Sequence, residues 1–214
     1  KFNFEYKVNP TVAHLRQIYT GSELGAANAV AESVQESSIE FANLTYVPTK
    51  LDSDLLSRLL NGEISTLFLT GNPGDGKTTF LFKVRDELLK LGGQLISSDG
   101  AGWEIEFNNR KYVSVLDASQ SYDYKSADEI SCQKLDLVLN ENAIALFAIN
   151  DGRLKQFARL YEDEYPELAN AVESYFANGR IEGDYIIVDL KNRSVVGLQG
   201  NGLVLDTIDS LVQE

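Results

Sequence analysis

The chain has 214 residues, of which 43% are hydrophobic and 24% are charged, values typical of a soluble protein with one sizeable domain and at most a small appendage. Its 32 acidic and 19 basic residues give a formal net charge of −13, and because so acidic a surface repels phosphodiester backbones, we expect no DNA contact from these residues themselves. Apolar runs fall short of the ~20 residues that cross a bilayer, no basic-then-apolar leader is visible, and Cys132 is the only cysteine, so we expect a cytoplasmic protein without membrane contact.

Residues 1–50 are predicted to form an N-terminal helical or irregular segment, with a short helix at residues 11–19. The main domain is predicted to cover residues 51–214. The sequence contains no methionine, and residues 203–212 have the pattern of a helix that is just beginning. We therefore expect further protein beyond Glu214, and we expect self-association or partner proteins to act through regions that this sequence does not contain.

A helix, a strand and a second helix are predicted between residues 51 and 93. The first helix carries leucines 55, 56, 59 and 60 at helical spacing and ends at Gly62. Residues 65–70 are predicted to form a short apolar strand, and a glycine-rich turn follows. After the turn, apolar residues recur at spacings of four, four and three, which corresponds to one face of a helix. These residues are Phe80, Val84, Leu88 and Leu91.

Strands and helices alternate through the rest of the domain. The predicted elements are a strand at 94–98, a hairpin of strands at 103–107 and 111–116, a helix that begins with a capping box at Ser126 and Glu129, a strand at 144–149, a helix from 151, a helix at 166–178 and a hairpin of strands at 185–188 and 194–196. This order indicates a three-layer α/β fold with a mostly parallel central sheet, helices on both faces and β-hairpin insertions. In such a sheet the ligand lies where the carboxyl ends of the strands meet.

The glycine-rich turn at residues 71–78 matches the phosphate-binding motif G-x-x-x-x-G-K-[ST] without deviation, and it predicts a P-loop NTPase fold. The backbone N–H groups of such a loop surround the β-phosphate, and the following helix adds the positive end of its dipole. Lys77 is expected to reach the β- and γ-phosphates of ATP, Thr78 to ligate Mg²⁺, and Thr79 to contact the α-phosphate. The predicted nucleotide-binding residues are Gly71, Asn72, Pro73, Gly74, Asp75, Gly76, Lys77, Thr78 and Thr79.

A P-loop enzyme also needs a carboxylate at the end of a neighbouring strand to hold the magnesium shell. Asp117 follows an apolar strand and is the predicted catalytic acid and metal ligand, although a turn or helix-capping aspartate is the structural alternative. Asp189 is the competitor for this role. Residue 118 is alanine, so the Asp-Glu pair that is common in related ATPases is missing, and Glu129 is only a weak candidate for the water-activating base.

Asn150 follows the apolar strand predicted at residues 144–149 and is the third predicted catalytic residue. Its amide is expected to orient the attacking water or to contact the γ-phosphate. The simpler alternative is an N-cap for the helix that begins at Asp151, and the two roles are compatible. Arg153 lies one turn further on and could reach phosphate or a neighbouring subunit. Arg159, Arg180 and Arg193 could also stabilise charge on the phosphates, although an arginine of this kind is more often a solvated surface residue.

The loop GNPGDGKTT, a strand that ends in Asp117 and a strand that ends in Asn150 together resemble the AAA+ and STAND branch of P-loop ATPases. The resemblance covers about residues 51–190, and only the loop is highly specific. It implies that the loop is a Walker A motif, that Asp117 is the Walker B acid and that Asn150 is the sensor-1 residue. It also implies ATP rather than GTP, since no Asn-Lys-x-Asp motif occurs.

Two shorter motifs, VLDAS at residues 115–119 and AINDGRL at residues 148–154, resemble ATPase subunits of bacterial anti-phage systems. The nearest resemblance is to the ATPase of DNA phosphorothioation-dependent restriction. It implies that nucleotide drives sensing or remodelling at foreign DNA, together with further domains and partner proteins.

Three functions remain open from the sequence. The first is an ATPase module that converts ATP binding and slow hydrolysis into a conformational or assembly change in a larger machine. The second is a nucleotide-binding regulatory domain that does not hydrolyse ATP, which Ala118 favours. The third is a small-molecule or nucleoside kinase, which would usually carry a dense arginine cluster that is not visible here.

Overall fold

The structure of the chain is a computed structural model that describes residues 50–179 and 184–192. Several predictions lie outside these residues, namely the N-terminal segment with its helix at 11–19, the strand at 194–196 and the helix at 203–212. The helices are α1 (Lys50–Leu60), α2 (Lys77–Lys90), α3 (Ala127–Glu141), α4 (Asp151–Leu160) and α5 (Pro166–Asn178). Among the described residues, no helix is long and apolar enough to cross a bilayer.

Six strands form one open sheet in the order β2-β3-β4-β5-β1-β6. They are β1 (Thr66–Thr70), β2 (Gln94–Ser98), β3 (Trp103–Phe107), β4 (Arg110–Val115), β5 (Ile144–Ala148) and β6 (Tyr185–Asp189). Strands β4, β5, β1 and β6 are parallel, whereas β2, β3 and β4 form an antiparallel meander. The predicted α/β class and mostly parallel sheet are therefore confirmed.

The order of the strands corrects one expectation. Asp117 was expected at the end of a strand next to the phosphate-loop strand, but β4 pairs with β5, and β5 lies between β4 and β1. Periodicity identifies strands but not the order in which they pair, because pairing is decided by contacts between residues that are distant in the sequence.

Helices cover both faces of the sheet because alternate residues of a strand point to opposite sides. On one face, Phe68 of β1 and Phe147 of β5 stack with their ring centroids 4.7 Å apart, and they share a core with α3, α4 and α5. On the other face, Tyr112 of β4 donates a hydrogen bond from its hydroxyl to the Leu59 carbonyl of α1, at 3.1 Å. Burial raises the pKa of this tyrosine.

Local signals account for several element boundaries. Asn108 and Asn109 have φ angles of 50° and 59°, as a two-residue hairpin turn of type I′ requires, and they join β3 to β4. The capping box predicted for α3 is present, since Glu129 N–H donates to Ser126 Oγ at 3.2 Å and Ser126 N–H donates to Glu129 Oε2 at 2.7 Å. The apolar face predicted for α2 is confirmed at Phe80, Val84 and Leu88, which are buried, but not at Leu91, which is the C-cap residue and is 56% exposed.

Candidate functional site

The predicted catalytic residues Lys77, Asp117 and Asn150 all lie at the edge of the sheet where the parallel strands end. Lys77 follows the loop that leaves β1, Asp117 lies two residues beyond β4, and Asn150 lies two residues beyond β5. Residue-by-residue pairing aligns the ends of these strands, with Leu69 opposite Ala148 and Val115 opposite Phe147. The fold thus brings together three residues that are far apart in the sequence.

The phosphate loop begins with a tight turn at residues 72–75. Pro73 and Gly74 occupy its two central positions, and Gly74 has a φ angle of 88°, which a type II turn requires at its third residue and which glycine adopts without strain. The turn is closed by a hydrogen bond of 3.2 Å from the Asp75 N–H to the Asn72 carbonyl. The Asn-Pro-Gly-Asp sequence therefore determines the first half of the loop.

The second half of the loop passes directly into α2. Gly76 is the N-cap residue with left-handed angles of φ 88° and ψ 15°, and no side chain caps this helix. The first N–H groups of a helix have no partner within the helix, so those at the start of α2 remain available for an anion. By contrast, α3 and α4 are capped by the side chains of Ser126 and Asn150.

Lys77 extends its ammonium group back over the loop. Its Nζ donates to the Gly71 carbonyl at 2.9 Å and to the Asn72 carbonyl at 2.8 Å. These carbonyls hold the one cation of the loop beside the uncapped start of α2. A bound polyphosphate would meet both positive features at the same place.

Thr78, in the first turn of α2, makes a contact across the site. Its hydroxyl donates to the carbonyl of Leu116 at 3.2 Å, and Leu116 directly precedes Asp117. The hydroxyl of Thr78 thus contacts the residue before Asp117, even though β5 lies between β4 and the strand that leads into the loop. The role of Leu116 was not predictable from the sequence, since any residue type has a main-chain carbonyl that can accept this bond.

Asp117 is half-buried and is oriented by a local turn. Its Oδ1 accepts hydrogen bonds from the N–H of Ser119 at 2.9 Å and from the hydroxyl of Ser119 at 2.5 Å. Both bonds are made to Oδ1, and Oδ2 takes part in neither of them. The turn alternative proposed from the sequence is therefore present, and it fixes the carboxylate at the strand end rather than removing it from the site.

Asp189, the competitor for the metal role, ends β6 opposite Thr70 of β1. Its Oδ1 accepts the N–H of Lys191 at 2.9 Å, and the Lys191 ammonium lies 3.6 Å from its Oδ2. The same ammonium donates a hydrogen bond to the carboxylate of Asp151 within an ion pair. This hydrogen bond raises the pKa of Lys191. The carboxylate of Asp189 is thus held by a neighbouring lysine, whereas the contact of Thr78 is to Leu116, directly before Asp117. The role of Lys191 was not predicted from the sequence.

Ala118 shows why no second acid follows Asp117. It is 1% exposed and belongs to the hydrophobic core beneath α3, α4 and α5. Its N–H donates to the Ala148 carbonyl at 2.9 Å. A charged side chain at this position would be buried among apolar groups, which is costly without a partner.

Asn150 caps α4 through its side chain, as the simpler interpretation predicted. Its Oδ1 accepts a hydrogen bond from the N–H of Arg153 at 2.8 Å, and the residue is exposed to solvent. The oxygen is therefore used for capping, and this hydrogen bond does not involve the amide Nδ2. Asn150 therefore caps α4 at the same edge of the sheet as Lys77 and Asp117.

The other candidates for catalysis are placed less favourably. The guanidinium of Arg153 forms an ion pair with Asp128. Arg159 is exposed near the far end of α4, about 12 Å along the helix axis from Asp151. Arg180 and Arg193 lie outside the described residues. Glu129 is held in the capping box, and the hydrogen bond from the Ser126 N–H lowers its pKa, which opposes a role as a base.

The donor groups at the site fit a magnesium ion that is bound together with a nucleotide. Mg²⁺ is usually held by one or two protein oxygens, with phosphates and waters completing an octahedron. The Thr78 hydroxyl and the Asp117 carboxylate are donors of this kind. Within the described part of the chain there is no group of three or more metal-ligating side chains, and an ion of this kind does not require one.

Comparison of the chain with protein family models, with curated proteins and with solved structures gave no match. The assignment of a function therefore rests on the fold and on the geometry of the residues at the sheet edge.

Proposed function

We propose that this chain is an ATP-binding module that hydrolyses ATP slowly in the presence of Mg²⁺ and thereby switches a larger assembly. The observation that carries the proposal is the contact between Thr78 and Leu116. It joins the first turn of the helix that follows the loop to the strand end that carries Asp117, and the lysine, the hydroxyl and the carboxylate all belong to this one edge of the sheet. A glycine-rich turn with a purely structural role does not need this combination of groups.

Each residue has a distinct role in the proposed mechanism. The loop N–H groups and the start of α2 bind the phosphates, and Lys77 leaves the Gly71 and Asn72 carbonyls to contact the β- and γ-phosphates. Thr78 and Asp117 would hold Mg²⁺, which would supply charge neutralisation at the phosphates. The Nδ2 of Asn150 donates to the γ-phosphate or to the attacking water while its Oδ1 continues to cap α4.

A second candidate is a nucleotide-dependent switch without hydrolysis. The burial of Ala118 favours it, because the position after Asp117 is used for packing and supplies no base. The capping role of Glu129 points in the same direction. Tight ATP binding without phosphate release, under all conditions tried, would select this candidate over the first.

Phosphate release from Mg·ATP by the native chain and by Asp117→Asn separates the two candidates. The amide retains an oxygen that can accept the Ser119 bonds, so the variant is expected to fold and to bind ATP. Loss of turnover in the variant with retained binding supports hydrolysis at this site. Equal turnover in both proteins would remove Asp117 from the mechanism, and fast phosphoryl transfer to a small acceptor would indicate a kinase instead.

The resemblance to defence ATPases extends the proposal to a machine that responds to foreign DNA. The net charge of −13 opposes direct binding of DNA by this chain. DNA would therefore act through partner proteins. Turnover measured with and without duplex DNA should be unchanged for the isolated chain, and strong stimulation by DNA alone would contradict this part of the proposal.

A further inference from the structure

Asp75 occupies a variable position of the phosphate-binding motif, and its carboxylate has an unusual set of contacts. Its Oδ2 accepts the backbone N–H of Asn72 at 2.5 Å, and its own N–H donates to the Asn72 carbonyl at 3.2 Å. Both main-chain groups of Asn72 are thus bound by the same residue.

The peptide unit between Gly71 and Asn72 lies between two opposite charges. Its N–H faces the Asp75 carboxylate, and its carbonyl accepts the Lys77 ammonium at 2.9 Å. In a trans peptide these two groups point in opposite directions. The negative charge therefore lies at the positive end of the peptide dipole and the positive charge at the negative end, so each bond strengthens the other.

A reversal of this peptide unit would break both contacts. It would turn the N–H toward the Lys77 ammonium and the carbonyl toward the Asp75 carboxylate, and both approaches are repulsive. The Asn72 carbonyl, which also accepts Lys77 at 2.8 Å, is held in place by the turn that Asp75 closes. Asp75 therefore fixes the orientation of both carbonyls, which hold the lysine until it moves to the phosphates.

We propose that Asp75 is a positioning residue that pre-forms the phosphate loop and so sets its affinity for the diphosphate part of a nucleotide. This inference rests on the proposed nucleotide-binding function. A loop that is ordered before binding loses less conformational freedom when the phosphates arrive. A carboxylate close to a polyphosphate is electrostatically unfavourable, so its presence here is best explained by the orientation of the loop.

Hydrogen exchange of the Asn72 amide tests the positioning without any nucleotide. In the native chain the amide should exchange slowly, as measured by NMR. In Asp75→Ala it should exchange at least about tenfold faster because its acceptor is lost, whereas Asp75→Asn retains an oxygen acceptor and should preserve most of the protection. An unchanged exchange rate in Asp75→Ala would overturn the proposal.

The affinity for ADP, measured by calorimetry with the same proteins, tests the consequence for binding. Asp75→Ala should bind ADP about tenfold more weakly than the native chain, and Asp75→Asn should restore most of the affinity. Glu87→Ala is the matched control, since it removes a carboxylate that pairs with Lys90 on the same helix. The affinity of Glu87→Ala for ADP should not be lower than that of the native chain.

The outcomes separate this inference from the proposed function. If the native chain binds ADP and Asp75→Ala binds it equally well, the inference is wrong while the proposed function stands. If Asp75→Asn binds as weakly as Asp75→Ala, an oxygen acceptor is not sufficient and the positioning role is likewise overturned. If the native chain does not bind ADP, the proposed function fails and the claim about affinity fails with it.

Discussion

The hydroxyl of Thr78 donates a hydrogen bond to the carbonyl of Leu116, 38 residues further along the chain and 3.2 Å away. This contact crosses from the first turn of α2 to the end of β4, past the end of β5 that lies between β1 and β4. It places the hydroxyl next to the residue that precedes Asp117. In the proposed mechanism the hydroxyl oxygen becomes a ligand of Mg²⁺ when nucleotide binds.

Thr78→Ala is expected to weaken the binding of Mg·ATP by about tenfold or more, because a ligand of the ion is removed. Thr78→Ser retains the hydroxyl and should bind nearly as the native chain does. Titrations with ATP in the presence of Mg²⁺ and in the presence of a chelator measure the effect. With the chelator the three proteins should converge, and a Thr78→Ala protein that binds Mg·ATP normally would remove Thr78 from the metal site.

Two substitutions of Asn150 distinguish its capping role from its proposed catalytic role. Asn150→Asp retains an acceptor for the Arg153 N–H, so its stability should match that of the native chain, whereas Asn150→Ala should lose about 1 kcal/mol of unfolding free energy. Neither variant has an amide that can donate to a phosphate, so both should release phosphate more slowly. Urea unfolding and a phosphate assay measure the two effects, and normal turnover in Asn150→Asp would leave capping as the only role of this residue.

The local structure of the described residues was largely predictable from the sequence. The capping box at Ser126 and Glu129 and the proline at the start of α5 each act through neighbouring residues, and the apolar run predicted as residues 144–149 is the strand β5 at Ile144–Ala148. Such signals persist in a single sequence because the interaction spans only a few positions. Leu91 was the exception, since helical spacing continues in the sequence after the helix has ended at Lys90.

Long-range relationships were not predictable in the same way. The motif identified Lys77 and Thr78, but the insertion of β5 between β4 and β1 depends on strand pairing. The ion pair between Lys191 and Asp151 joins residues 40 positions apart. The burial of Ala118 in the core became apparent only when the sheet and its helices were both in place.

Glu129 predicts a small dependence of stability on pH. The pKa of this carboxyl is lowered in the folded chain, chiefly by the bond from the Ser126 N–H. A carboxyl with a lowered folded pKa contributes stability above its unfolded pKa, and this contribution is lost as the pH falls through the folded value. The unfolding free energies of the native chain and of Glu129→Gln should therefore differ near neutral pH and become equal in acid.

The comparison uses urea unfolding of both proteins at about pH 7 and about pH 3. Glutamine retains the hydrogen-bonding pattern of the capping box. The difference in unfolding free energy between the two proteins therefore measures the contribution of the ionised carboxylate. Turnover of the two proteins at neutral pH should be equal, because Glu129 is not the base in the proposed mechanism. A large loss of turnover in Glu129→Gln would contradict that assignment.

Equilibrium binding of Mg·ATP by the native chain and by Lys77→Ala shows whether the glycine-rich loop binds nucleotide. Lys90→Ala, at the other end of α2, is the matched control for the loss of one positive charge. We expect saturable binding by the native chain and by Lys90→Ala, and binding by Lys77→Ala that is weaker by at least about tenfold. Equal binding by all three proteins, or no binding by the native chain, would contradict the assignment of residues 71–79 as a nucleotide-binding loop.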